Sequence, residues 1–260
     1  MENLRISIVQ FDIVWEETEN NQKRCDSLIR PLRGKTDLVV LPEMFATGFS
    51  VDAIHLAETD TDSIIQQIGW WAQEFEFAIC GSFLAKDDSG KIFNRGFFIT
   101  PEGVSFFYNK RHLFRMGKEN NFLSAGNEPV IISYKGWNIR MIICYDLRFP
   151  VWIRNKGNEY DLLICVANWP GNRANVWEIL LKARALENQS YVCGVNRIGT
   201  DKNQISYRGD SVLIDFKGKV VAEAKQHKEE VITGIINKGV QDGFRKKFPV
   251  WMDADSFDIK

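Results

Sequence analysis

The sequence predicts an α/β (α+β) layered fold carrying mixed β-sheets, and three observations support this. The first third alternates apolar strand-length runs with helix-period segments. The middle switches to apolar runs joined by tight-turn clusters, and the alternation then returns before a last hairpin. Strands separated by helices pair in parallel as βαβ units, whereas strands joined by short turns pair antiparallel, so both kinds of pairing belong to the prediction.

Taken in order, "RISIVQF", "DLVVLPE" and "FAICGSFL" read as strands, separated by the helical patterns "NNQKRCDSLIRPL" and "DSIIQQIGWWAQEF". "AKDDSGKIF" and "TPEGVSF" are turn clusters between apolar runs, and "YKGW" joins "PVIIS" to "NIRMIIC". "DLLICVAN", a helix from about residue 173 to 188, and "YVCGVN" restore the βαβ rhythm. The hairpin "SVLIDFKGKVVAEA" and the strand "EEVITGII" close the pattern. No linker, repeat or low-complexity segment interrupts it, so residues 1–260 are expected to form one domain. The aromatic tail from about 243 to 260, "FRKKFPVWMDADSF" at its heart, lacks periodicity and should dock on its own domain or on a second subunit.

Composition narrows the class. With 45% hydrophobic residues in 260 the chain can bury a large core. The net charge of −1, with Lys and Arg dispersed, offers no track for nucleic acid or anionic membrane. Apolar runs are strand-sized rather than membrane-spanning, and "MENLRISIVQ" enters a strand without a leader pattern. Five cysteines without paired spacing fit a reducing cytosol, so a cytoplasmic location is expected. Metal ligation is not expected, because no C-x-x-C, H-x-x-x-H or H-x-E…P-C-x-x-C spacing occurs. Glycine-rich phosphate loops are missing too, and no cofactor is expected.

Chemistry concentrates at strand exits. Cys80, Cys165 and Cys193 lie inside apolar strands, where free cysteine is a small inert hydrophobe, and Cys25 falls in a charged helical stretch. Cys144 differs because "MIICYDLRFP" breaks from strand to turn at that residue, the end at which parallel sheets bind ligands. Position alone leaves it either a core residue or a nucleophile. None of the three histidines shares such a setting. Glu43 in "DLVVLPEM" and Lys110 in "SFFYNKRHLF" also follow strands. Taken singly, each is more often a solvated surface charge. Together with Cys144 they make a base, a cation and a nucleophile, and a cation beside a thiol favours thiolate and oxyanion.

The segments "LPEMF", "YNKRHLF" and "GWNIRMIICYDLRFP" resemble the three motif regions of the nitrilase (carbon–nitrogen hydrolase) superfamily. The resemblance extends through "ISIVQFDIVW", "VANWP", "WEILLKARALENQSYVCGVNRIG" and "YRGDSVLIDFKGKVV" to the ending "KFPVWMDADSF". Within the superfamily the chain is most similar to bacterial ω-amidases. The resemblance implies a four-layer α–β–β–α sandwich with two mixed sheets, assembled into dimers through helices and C-terminal tails. It implies catalysis by Glu43, Lys110 and Cys144, without histidine, metal or cofactor, and a second carboxylate, Glu119, orienting the lysine. The implied activity releases ammonia from a small dicarboxylic or 2-oxo acid monoamide. Deaminated glutathione, carbamoyl compounds, nitriles or a silent interaction module are the alternatives. Val151 departs from the glutamate many relatives carry there. In ω-amidases the arginine at the position of Arg148 grips the substrate's acid end; the alternative is a structural pairing with Asp146 or another acid. Tyr145, Phe45 and Trp169 are the candidate pocket walls.

Overall fold

The computed structural model describes residues 3–259. Chain order begins with β1 (Asn3–Gln10), α1 (Thr18–Ile29), β2 (Leu38–Val40), α2 (Ser63–Phe75), β3 (Ala78–Lys86), β4 (Ile92–Ile99) and β5 (Ser105–Asn109). The first three strands pair in parallel and the next two antiparallel, as the change from helical to turn connections requires. A one-turn helix, α3 (Glu119–Phe122), then leads to the second sheet.

That sheet contains β6 (Ile131–Tyr134), β7 (Trp137–Ile143), β8 (Leu162–Ala167) and β9 (Tyr191–Asn196), with α4 (Pro150–Ile153) after β7 and α5 (Ala174–Asn188) crossing from β8 to β9. A two-stranded ribbon, β10 (Ile198–Thr200) with β11 (Ser206–Arg208), precedes β12 (Val212–Ile214) and β13 (Val220–Glu223), which complete the sheet. The last strand, β14 (Glu230–Asn237), returns to the first sheet and pairs antiparallel with β1 over its whole length. The sequence pattern marks β14 as a strand but carries no sign of this partner.

Two six-stranded mixed sheets therefore pack face to face. Ile6, Val40 and Phe98 of the first share one core with Met141, Ile164 and Val192 of the second. On the outer side of the first sheet, Ile68, Trp71 and Phe75 of α2 and Cys25 of α1 bury against Val39, Ile79 and Phe97. Trp177, Leu181 and Ala185 of α5 cover the second sheet. The result is the α–β–β–α sandwich, and all of β2 and β8 is buried, as strands covered on both faces must be. Cys80, Cys165 and Cys193 are fully buried core residues, and so is Cys25.

After α6 (Lys238–Lys247) the tail runs back along its own domain. Gln189 donates to the Phe248 carbonyl at 2.8 Å and Lys156 to that of Phe257 at 2.8 Å, yet Phe248 and Met252 stay exposed. Among the described residues no helix is long and apolar enough to cross a membrane. In the tripeptide "RGD" at Arg208–Asp210, the arginine bonds to Asp210 and to Glu178 of α5.

Glycine sets the approach of α5 to its sheet. A Cβ at Gly194 would lie 2.5 Å from Leu181 Cδ1 and 2.9 Å from Trp177 Cζ2. Gly194→Ala should therefore destabilise the protein by about 1–3 kcal/mol through overpacking, read as a lowered midpoint in urea unfolding.

Candidate active site

The carboxyl ends of four strands converge at one end of the sandwich. Glu43 follows β2, Lys110 follows β5, Cys144 follows β7 and Asn168 follows β8. At Cys144 the backbone turns abruptly into a 3₁₀ segment, Cys144–Arg148, with φ of 44° at the cysteine. A residue with a Cβ pays about 1–2 kcal/mol for this left-handed conformation, so its surroundings must enforce it.

Asp146 supplies that enforcement. Its fully buried carboxylate accepts the Ile143 N–H at 3.1 Å and the Tyr108 hydroxyl at 2.8 Å. The other oxygen accepts the His112 backbone N–H at 2.9 Å and faces the ring Nδ1 at 2.8 Å. A carboxylate only accepts, so the imidazole carries its proton on Nδ1. The ring then stacks on Phe149, 3.7 Å between centroids and 5° from parallel. The cysteine turn is thus clamped to the segment that carries Lys110. Arg148 is not Asp146's partner.

Behind the cysteine lies a buried charge cluster. Lys110 Nζ donates to Glu43 Oε1 at 2.9 Å and lies 3.0 Å from Glu119 Oε2; all three side chains are fully buried. Asn94 bridges the two carboxylates, donating to Glu43 at 2.7 Å and Glu119 at 3.1 Å. Ser82 donates in turn to Asn94 Oδ1 at 3.0 Å, and Phe114 N–H caps Glu119 at 2.6 Å. The remaining Glu43 oxygen accepts the Asn168 N–H at 2.7 Å, while Asn168 Nδ2 holds the Glu43 carbonyl at 2.7 Å. An ammonium has three donors, so one remains for a group in the cavity.

Electrostatics follow from burial. Desolvation alone would lower the Lys110 pKa, but the charges of Glu119 and Glu43 raise it above its ordinary value. Desolvation raises Glu119, against the pull of Lys110. Burial, then the negative charge of Glu43, push the Cys144 thiol well above its usual range despite Lys110 nearby. At neutral pH the resting sulfur is a protonated thiol flanked by an acceptor and a cation.

Lys110, Cys144, Tyr145, Arg148, Asn168 and Trp169 all border one cavity of about 560 Å³. Cys144 is the one cysteine of the five with surface left exposed. Trp169 carries the Arg148 guanidinium 5.1 Å above its ring, and Tyr145 packs edge-on against Phe114 at 5.1 Å. Phe45 does not belong here, contrary to the sequence expectation. Met44 adopts φ of 46°, and the turned chain sends Phe45 into the helix-covered core, 6.4 Å from Trp71 and 6.0 Å from Phe97. Phe49 and Phe114 line the cavity in its place. Val151 points outward on α4 and is exposed.

Sequence reasoning did not single out Asn94, Ser82, Asn168 or Arg173, which also lines the cavity. Asn94 and Ser82 had a legible signal, each a polar residue within an otherwise apolar strand, "IFNRGFFI" and "AICGSFLAK". A buried polar side chain needs partners, and these exist to hold the carboxylates.

Residues 5–244 match the family model described as carbon-nitrogen hydrolase. The chain is 42% identical to "Omega-amidase YafV" of Escherichia coli (strain K12) over 259 residues, covering 100% of both. It is 32% identical to the "2-oxoglutaramate amidase" of Bacillus subtilis (strain 168), over 95% of this chain and 96% of that protein. Among solved structures it is similar to XC1258 from Xanthomonas campestris, described as a CN-hydrolase superfamily protein with an arsenic adduct in its active site. That match has a TM-score of 0.97, 41% identity and full coverage of both chains.

Two measurements probe the geometry. Asp146→Asn turns an amide NH₂ toward the backbone N–H of Ile143 or of His112, each of which can only donate, and should cost about 1–3 kcal/mol for the donor left unpaired, read by thermal unfolding. Glu43→Gln removes the negative neighbour that raises the thiol, so the pH midpoint for alkylation of Cys144 by iodoacetamide should fall; an unchanged midpoint would contradict the electrostatic account.

Proposed function

Because the chain belongs to the carbon–nitrogen hydrolase family, we propose that it is an ω-amidase, a hydrolase that frees ammonia from the terminal amide of a small dicarboxylic or 2-oxo acid monoamide. The convergence of Glu43, Lys110 and Glu119 behind the one cavity-facing cysteine is the observation that carries this reading. The printed names of the relatives, ω-amidase and 2-oxoglutaramate amidase, support it.

In the proposed mechanism Glu43 takes the Cys144 proton as the sulfur attacks the amide carbon. The resting thiol is neutral, so proton transfer accompanies attack instead of preceding it. The oxyanion receives the free Lys110 donor and the N–H of Tyr145, which lies in the first turn of the 3₁₀ segment and has no acceptor within it. Such a donor is worth about 3–4 kcal/mol in the transition state. Protonated Glu43 then returns its proton to the leaving nitrogen, giving ammonia and a thioester. A water molecule, deprotonated by Glu43, attacks the thioester and releases the acid and the thiol. Glu119 holds the lysine in place throughout.

Arg148 is the proposed grip for the substrate's acid end. Its guanidinium sits 5.1 Å over the Trp169 ring in the cavity and pairs with no carboxylate among the described residues. The cavity volume of about 560 Å³ is that of a site for larger ligands, which favours bulkier amides such as deaminated glutathione as a second reading. We also read the protein as a cytoplasmic homodimer joined partly through its tail, supported by exposed Leu186, Phe248 and Met252.

An ammonia-release panel tests the assignment. Turnover of 2-oxoglutaramate or succinamate should vanish in Cys144→Ala, whereas turnover of nitriles or glutathione-like amides alone would overturn the ω-amidase reading. Lys110→Met should lower kcat by about 10²–10³, the loss of one oxyanion donor. Arg148→Lys should raise KM for carboxylated amides by roughly tenfold or more and leave neutral amides nearly unchanged.

A further inference from the structure

A second guanidinium shares the cavity with Arg148 and has no role in the chemistry above. Arg173 sits at the start of α5, its guanidinium 5.5 Å over the Phe114 ring. Its backbone carbonyl accepts the Trp169 indole N–H at 2.9 Å, so the ring under Arg148 is tied to the chain that carries Arg173. Both arginines line the same cavity and both lie against aromatic walls. Among the described residues, neither guanidinium has a hydrogen bond or ion pair to any carboxylate.

Acids at the cavity do not neutralise them. Asp201 is already committed to the N–H groups of Asn203 and Ile205 and to the Tyr207 hydroxyl at 2.9 Å. Asp52 is exposed and pairs with neither arginine. The α5 N-terminus adds to the positive field, since its first turn carries no acidic residue and no side chain caps it. Two unpaired guanidiniums held by packing in one cavity are a standing electrostatic cost that an anionic ligand would relieve.

We infer that Arg173 is a specificity-determining residue that, opposite Arg148, binds the 2-oxo acid end of the substrate. This deepens the ω-amidase reading and rests on it. A 2-oxo carboxylate presents three oxygens close to one plane. One planar fork takes the carboxylate edge, and the second takes the keto oxygen with the neighbouring carboxylate oxygen. A plain dicarboxylic monoamide offers only the carboxylate and uses one fork fully. The site thereby favours the 2-oxo acid amide over its deoxygenated analogue.

The test compares three amides, 2-oxoglutaramate, glutaramate and uncharged butyramide, with wild type, Arg173→Met, Arg173→Lys and Arg148→Met. Arg173→Met keeps the stem over Phe114 and should raise KM for 2-oxoglutaramate about 10–100-fold, the loss of one charged hydrogen-bonded contact. Glutaramate should change only a few-fold, butyramide not at all, and kcat little; Arg173→Lys should recover part of the loss. Arg148→Met should weaken both acids together. An equal loss on all three amides, or unchanged KM for 2-oxoglutaramate, overturns the inference. Butyramide turnover confirms that each variant is folded. If the wild type hydrolyses neither 2-oxoglutaramate nor glutaramate, the ω-amidase reading falls and takes this one with it; if it hydrolyses glutaramate at least as well as 2-oxoglutaramate, or prefers the 2-oxo acid and Arg173→Met keeps that preference, the inference alone falls.

Discussion

A single ammonium buried between two carboxylates governs this structure. The Lys110 side chain is fully buried, so Glu43 and Glu119 must be present, aligned and themselves hydrogen-bonded. Removing one partner from such a cluster leaves an uncompensated charge at about 3–5 kcal/mol. The cluster draws residues from the exits of β2, β5 and β8, from β4 and from α3, and each contributes a hydrogen-bonding or charged group to it. The two sheets are thus held to one relative position by polar geometry at one end and by hydrocarbon packing elsewhere.

The same arrangement separates the reactive thiol from four inert ones. Cys25, Cys80, Cys165 and Cys193 are fully buried, and burial pushes each of these thiols up; Lys110 opposes it only as a minor influence at Cys165. At Cys144 burial acts too, but Lys110 opposes it and the cavity gives access.

Much of this was legible in the sequence, for a physical reason. Strand exits are where a chain leaves the sheet and exposes polar groups, so Glu43, Lys110 and Cys144 stood out as charged or nucleophilic residues at the ends of apolar runs. The switch from parallel to antiparallel pairing followed from connection length. Two kinds of information were not local. The destination of Phe45 depends on a left-handed turn at Met44, a non-glycine residue whose identity gives no warning. The roles of Asn94, Asn168 and Arg173 depend on which strands become neighbours across the sandwich. Arg148 was legible as a candidate grip, but its freedom from Asp146 became visible only with the clamp formed by Tyr108 and His112.

The pairing of β1 with β14 has a consequence in time as well as space. Ser7 and Thr233 share a hydroxyl hydrogen bond across 226 positions of chain. During synthesis the open side of β1 must wait for a partner made near the end, presenting unpaired amides to every other nascent copy in reach. A ribosome making this chain therefore extrudes an adhesive border long before it extrudes the strip that covers it. Chaperone demand and recombinant yield should be set there more than at the catalytic centre.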